Sequence, residues 1–199
     1  MLGRCEPHET TDPVELRFER SHDMELVRQV MTDPKIWPWI CDDSSPALEE
    51  FQPVDAAAWH YLTVFEGGKL LGLFLFVPQT GVCWEVHTCL LPGAWGPSAA
   101  QSAREAQAWI WEQTPCRRIV TSVPIYNRLA LRFALAAGMT QFGRDPASIE
   151  RGGRLWDRIL LGVSKPPSRV IEFRQRKPTC PPQPSYPPSS APPDPSAAQ

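Results

Sequence analysis

The order of elements legible in the sequence predicts an α/β domain of the α+β kind, with a mixed, mostly antiparallel central sheet flanked by helices. Three observations predict it. Between residues 59 and 91, three apolar or alternating runs are separated by short glycine-bearing turns, the pattern of consecutive antiparallel strands. Two later segments, 97–113 and 127–137, carry apolar or small residues at helical spacing, with a strand-like run between them. Eleven of the 23 prolines fall between Lys165 and Gln199, so the folded domain is expected over 14–164, after an N-terminal extension (1–13) and before a proline-rich tail (165–199).

Taken in order, Val14–Glu19 alternates as a half-buried strand does, and Ser21 stands where a helix N-cap is expected. The helix that follows carries Met24, Val27, Val30 and Met31 on one side until Asp33-Pro34 breaks it. Trp37, Pro38 and Trp39 then read as a loop, whose aromatics either line a cleft or fill the core's edge. Trp59–Phe65 and Leu70–Val77 form a hairpin around Glu66–Lys69, the second strand apolar throughout and so buried on both faces. In the third strand, Val82–Leu91, the residues Val82, Trp84, Val86, Thr88 and Leu90 face one way. Cys83, Glu85, His87, Cys89 and Leu91 face the other. The helix ending at Gln113 has a small-residue stripe, Ala99, Ala103, Ala106 and Ile110, that allows close approach to a sheet. Arg117–Val123 is a strand, Asn127–Ala137 a helix closed by Gly138, and Met139–Arg144 and Arg154–Val163 are strands joined by a glycine-bearing loop.

Composition removes several function classes. A formal charge of −2, from 20 basic and 22 acidic side chains, gives no global field to attract nucleic acid or an anionic membrane. The longest apolar run, Leu70–Pro78, is far shorter than the roughly 20 residues of a membrane span, and the first residues lack an apolar signal core. A soluble, cytoplasmic protein is expected. Six cysteines without a C-x-x-C pair read as free thiols, and His87 with Cys89 lacks a second ligand pair, so no metal is expected.

The strand-turn-helix at 82–113, followed by Asn127-Arg128-Leu129-Ala130 and Phe133 through Gly138-Met139, resembles the GNAT superfamily of acyl-CoA-dependent N-acyltransferases over roughly residues 14–163. The Asn, the Ala three later and the Gly eleven later keep the family's spacing, with Met139 in place of the usual Phe. The resemblance implies a central strand splayed from its neighbour at a bulge, so that free backbone groups pair with the pantetheine arm of acetyl-CoA as a missing strand would. It implies that Leu90 and Leu91 meet pantetheine, that Gly96, Ser98, Ala99 and Ala100 cradle phosphate at a helix N-terminus, and that Asn127 belongs to the cofactor-binding block.

Two departures bear on activity. The family's phosphate loop is commonly Arg-Gly-x-Gly-x-Gly or Ala, whereas Trp95-Gly96-Pro97-Ser98-Ala99-Ala100 lacks the basic side chain, and Pro97 has no N–H to offer. Ala134 stands where many members carry the Tyr that protonates the leaving thiolate, and Tyr126 is the nearest phenol. Glu85 and His87, sharing a face of the central strand, are the candidate general bases, each with the plainer alternative of an ion-paired or core residue. His60 is a weaker candidate, Cys89 a conceivable nucleophile on the same face as Glu85, and Asp157 a structural partner of Arg154 or Arg158.

Two functions follow from this reading. The first is an N-acetyltransferase that passes an acetyl group from acetyl-CoA directly to an unidentified amine. The second is a GNAT-fold protein of weak or no activity with an assembly role. The Glu-x-His strand, Leu90-Leu91-Pro92, Val123-Pro124 and the late Asp also resemble phage-encoded GNAT-like proteins, some of them labelled head-assembly proteins. Pro181–Pro184 and Pro192–Pro195 have the P-x-x-P spacing of polyproline ligands, so the tail is expected to be disordered and to offer a site for a protein partner.

Overall fold

The computed structural model describes residues 15–167. The N-terminal extension, and the tail with its P-x-x-P segments, lie outside the described residues.

The chain opens with strand β1 (Leu16–Ser21) and helix α1 (Met24–Met31). The cap of α1 is Asp23 rather than Ser21: Asp23 Oδ1 accepts the N–H groups of Glu25 and Leu26, while Ser21 Oγ accepts that of Asp23 one step earlier. Val27 and Val30 are buried, with Met24 and Met31 packed at the edge of the same cluster. The segment expected as a loop contains one helical turn, α2 (Trp37–Ile40), because Pro38 suits a first helical turn and Asp33 O accepts the N–H groups of Ile36 and Trp37.

Strands β2 (His60–Glu66) and β3 (Lys69–Pro78) form the expected hairpin about Gly67-Gly68, and β4 (Cys83–Leu90) pairs antiparallel with β3. A 3-10 turn, Pro92–Ala94, leads into α3 (Pro97–Gln113), then β5 (Arg118–Pro124) and α4 (Arg128–Ala136). Strands β6 (Thr140–Arg151) and β7 (Arg154–Ser164) form a hairpin. Its first strand ends seven residues later than the sequence pattern indicates, at Arg151 rather than Arg144. The irregular stretch after Asp145, which contains Pro146, is held in the sheet by Asp157. That carboxylate accepts the Ala147 N–H at 2.9 Å and pairs with Arg144, not with Arg154 or Arg158. Arg158 pairs instead with Asp145.

Among the described residues these strands form a seven-stranded sheet in the order β1-β2-β3-β4-β5-β7-β6. Every neighbouring pair is antiparallel except β4 with β5. The alternation along β4 sorts the core into two layers. Trp84, Val86 and Leu90 pack with the buried Ala99, Ala103, Ala106 and Ile110 of α3, whereas Cys89 packs with Leu73, Leu75 and the Val27–Val30 face of α1. The expected small-residue stripe is therefore the contact that seats α3 on the sheet.

Candidate active site

The parallel β4–β5 pair holds for only three register positions, Cys83 with Arg118, Trp84 with Ile119, and Glu85 with Val120. Beyond them β4 continues to Leu90 along β3 while β5 continues to Pro124 along β7, so the sheet opens into a wedge. The wedge is the heart of a cleft of about 830 Å³, within the usual range for small-molecule sites. One side of the cleft is walled by α3 and α4, the other by α1 and α2.

Backbone polar groups line the opening. The Leu91 N–H donates to Leu71 O at 2.8 Å, which makes that pair a hydrogen-bonded position of the β3–β4 ladder. By the alternation of an antiparallel ladder, the N–H and C=O groups of Thr88 and Leu90 point the other way, toward the wedge. Leu90 O accepts the Trp95 indole N–H at 2.8 Å. The irregularity of the sheet near this point lies on β3, where Leu71 is the extra residue opposite Val64 and Phe65, and not on β4. Gly72 follows it at φ +136, and a Cβ there would stand 2.2 Å from Cys89 O and 2.7 Å from Leu90 Cα. Only glycine lets β3 press this closely against the strand that lines the cleft.

The residues expected to hold a cofactor are placed as follows. Leu90, Gly96, Ala99, Ala100 and Asn127 line the cleft, whereas Leu91 and Ser98 do not. Asn127 Oδ1 accepts the Ala130 N–H at 3.0 Å and so acts as the N-cap of α4. No side chain caps α3 at Gly96, which leaves first-turn N–H groups for solvent or a ligand, although Ala99 N–H turns back to Gly96 O at 3.1 Å. Lys69 Nζ, from the β2–β3 hairpin, stands beside Gly93, three residues before Gly96, although neither Lys69 nor Gly93 lines the cleft. The sequence position of Lys69, 27 residues before Gly96, gave no signal of this.

The two candidate bases occupy different surroundings. His87 lines the cleft, with its side chain open to it. Its pKa is nevertheless lowered from the usual 6.5, chiefly because the surrounding protein removes water, and against the opposing pull of the Glu85 carboxylate. Glu85 lines a smaller, adjoining cavity of about 260 Å³, which shares Thr121, Ser122 and Arg158 with the cleft. Its oxygens accept hydrogen bonds from Ser122 Oγ at 3.1 Å and Gln79 Nε2 at 2.9 Å, and Ser122 is approached by Arg158 Nη1 at 3.4 Å. Cys89 lines the cleft but is only 1% exposed, and burial pushes its thiol up to about 12, which speaks against the thiolate a nucleophile needs. His60 packs against Trp84 and Trp109 and does not line the cleft.

The α1–α2 side of the cleft is built by contacts that no local pattern announces. Asp43, just after α2, accepts the N–H groups of Gly152 and Gly153 at 2.8 and 2.7 Å, tying that loop to the β6–β7 turn. Trp37, Trp39 and Tyr126 line the cleft, and the Arg151 guanidinium lies 5.0 Å from the Tyr126 ring and 5.8 Å from that of Trp39. Ala134 is buried in the cleft wall.

Among the described residues no helix is long and apolar enough to cross a membrane. No protein-family model and no curated protein matches the chain. Solved structures do. A spermidine N-acetyltransferase from Vibrio cholerae in complex with CoA and spermine is similar at 15% identity with a TM-score of 0.59, over 75% of this chain and 95% of that one. An acetyltransferase of the GNAT family from Bacillus anthracis is similar at 17% identity and a TM-score of 0.61, over 76% and 96%. A GNAT-family acetyltransferase from Streptococcus pneumoniae is similar at 14% identity and a TM-score of 0.56, over 75% and 99%. With its wedge between the parallel pair and its helices on both faces, the chain has the GNAT fold.

Proposed function

We propose that the chain is an N-acetyltransferase, cytoplasmic and dependent on acetyl-CoA, that transfers the acetyl group directly to an amine. The observation that carries this reading is the divergence of β4 from β5 immediately after Glu85 and Val120, with His87 the next outward-facing residue on β4. The open backbone groups of Thr88 and the Leu90 N–H suit the amide-rich pantetheine arm, which would lie in the wedge as a strand does. The uncapped first turn of α3 suits the phosphates.

In this reading His87, neutral because of its lowered pKa, accepts a proton from the amine. The amine nitrogen then bonds to the thioester carbonyl carbon, the C–S bond breaks, and the sulfur leaves with a proton supplied by Tyr126, the phenol of the cleft wall. Glu85 acts through its field on His87 rather than by touching substrate, because its oxygens are held by Gln79 and Ser122 outside the cleft's lining. Calorimetric titration of the full chain with acetyl-CoA, with desulfo-CoA as control, tests the reading. Micromolar binding is expected, and no binding at millimolar ligand would sink it.

A second reading, an assembly protein that keeps the fold with a weakened site, is favoured by one observation. The Trp95 indole already holds Leu90 O, a group on the open edge of β4, and Pro97 removes one N–H from the phosphate turn. Absence of acetyl-CoA binding would favour this reading, in which the P-x-x-P tail would offer the partner site.

A further inference from the structure

One acceptor on the open edge of β4 is already filled, and the group that fills it comes from the mouth of the cleft. Leu90 is the last residue of β4, and the alternation that bonds the Leu91 N–H to Leu71 O turns Leu90 O away from β3, toward the wedge. There it accepts the Trp95 indole N–H at 2.8 Å. The indole donor therefore stands where a neighbouring strand would place a backbone N–H. An unpaired strand edge invites pairing with another chain, and the indole blunts this one at its outer end, next to the turn that leads into α3.

The contact is built so that it can be given up. Trp95 lines the cleft yet is 47% exposed, and it packs in neither of the two buried clusters of the described residues, so little apolar burial holds the ring. Its backbone N–H is tied separately, to Pro92 O at 3.2 Å, so the indole can leave by rotation of the side chain while the turn keeps its shape. Space lies beside it: a Cβ added to Gly96, the next residue, would meet no atom within 4 Å. What fixes the indole is then chiefly one neutral hydrogen bond, which contributes about 0.5–1.5 kcal/mol net and which an incoming amide N–H can replace. The same mouth is where a ligand seated on the first turn of α3 would first meet β4.

We propose that Trp95 is an exchangeable placeholder for the pantetheine arm: its indole N–H occupies Leu90 O in the empty cleft, and an amide N–H of the arm displaces it. The inference rests on the acetyltransferase reading, and it gives the indole contact a role other than that of a permanently weakened site. The bond covers the strand edge between turnovers, lowers the affinity for the cofactor, and re-forms behind departing CoA.

The test compares the full parent chain with Trp95→Phe, which keeps an aromatic ring and removes the donor, by calorimetric titration with acetyl-CoA. Trp95→Phe is expected to bind about three- to tenfold more tightly, the equivalent of freeing one neutral hydrogen bond. Equal or weaker binding by the folded variant overturns the proposal and leaves the transferase reading in place. A second measurement depends on no variant. In the parent chain the Trp95 indole N–H resonance should move upfield and exchange faster with water when acetyl-CoA saturates the cleft. A carbonyl oxygen can accept two hydrogen bonds, so the indole could also stay; an N–H that remains protected at saturation overturns the proposal. Binding by Trp95→Phe alone would make the contact a permanent block and overturns exchange as well. Absence of binding by both chains is the separate failure of the transferase reading, and it removes the placeholder with it.

Discussion

His87 is useful as a base only when neutral, and the cleft makes it so by withholding water from the imidazolium. The direction of that shift fixes the pH dependence. With a folded-state pKa below the ordinary 6.5, kcat/KM should stand on its plateau at neutral pH and fall only as pH drops through the lowered value. The same sign applies to stability: the group's contribution is complete above the unfolded pKa and is lost as pH falls through the folded one. His87→Gln should reduce kcat by about 10²- to 10⁴-fold and remove the acid limb of the profile. A limb that persists in the variant would assign the titration elsewhere. Cys89 makes the complementary case two residues along the same strand. Burial raises its thiol to about 12, so almost no thiolate exists at neutral pH. Cys89→Ala should cost roughly 1 kcal/mol of stability in urea denaturation and leave turnover near the parent value. Loss of turnover without loss of stability would restore the thiol to the chemistry.

At the scale of elements, the shape of the cleft depends on how closely β3 supports β4. Gly72→Ala would place a methyl group 2.2 Å from Cys89 O at a φ of +136, so either β4 shifts or the strand pair opens. A loss of about 3 kcal/mol is expected by denaturant unfolding. Weaker acetyl-CoA binding should accompany it, because Thr88 and Leu90 move with the strand. Parent-like stability would mean that the close approach is relaxed in solution. The elements themselves were largely legible in the sequence, for identifiable reasons. Alternation in β4 and the Ala99–Ile110 stripe of α3 are periodic patterns imposed by burial, and burial is what the sequence records. The end of β6 was not legible, since Asp145-Pro146-Ala147 reads as a break unless one knows that Asp157, from the next strand, holds it. The site divides in the same way. That His87 faces the cleft follows from strand alternation, whereas Glu85, two residues away, lies outside it, and Lys69 beside Gly93, Asp43 on the 152–153 turn and Arg151 against Trp39 are tertiary meetings without a local signature.

For the whole described domain, the decisive feature is that two half-sheets, β1 to β4 and β5-β7-β6, meet through a parallel joint of three register positions. Beyond that joint the halves are also linked by the Ser122–Glu85 hydrogen bond and by the packing of α3 and α4 against the sheet, through residues such as Ala103, Ile110 and Ala134. A ligand lying in the wedge would add hydrogen bonds to β4 where β5 has departed, and would bind only the folded arrangement. Mass action then raises stability by about 2.7 kcal/mol at a ligand concentration of 100 times Kd. For a domain of this size that corresponds to a rise in Tm of about 5–10 °C. Acetyl-CoA should therefore produce a concentration-dependent shift of that order in scanning calorimetry of the full chain. Amide exchange should slow at Thr88 and Leu90, on the open edge of β4, more than at Leu91, whose N–H is already bonded to Leu71. A thermal shift with protection confined to α3 would place the ligand on the phosphate turn without the strand-like contact. Protection at the edge of β4 would show that the ligand completes the sheet where the two halves part.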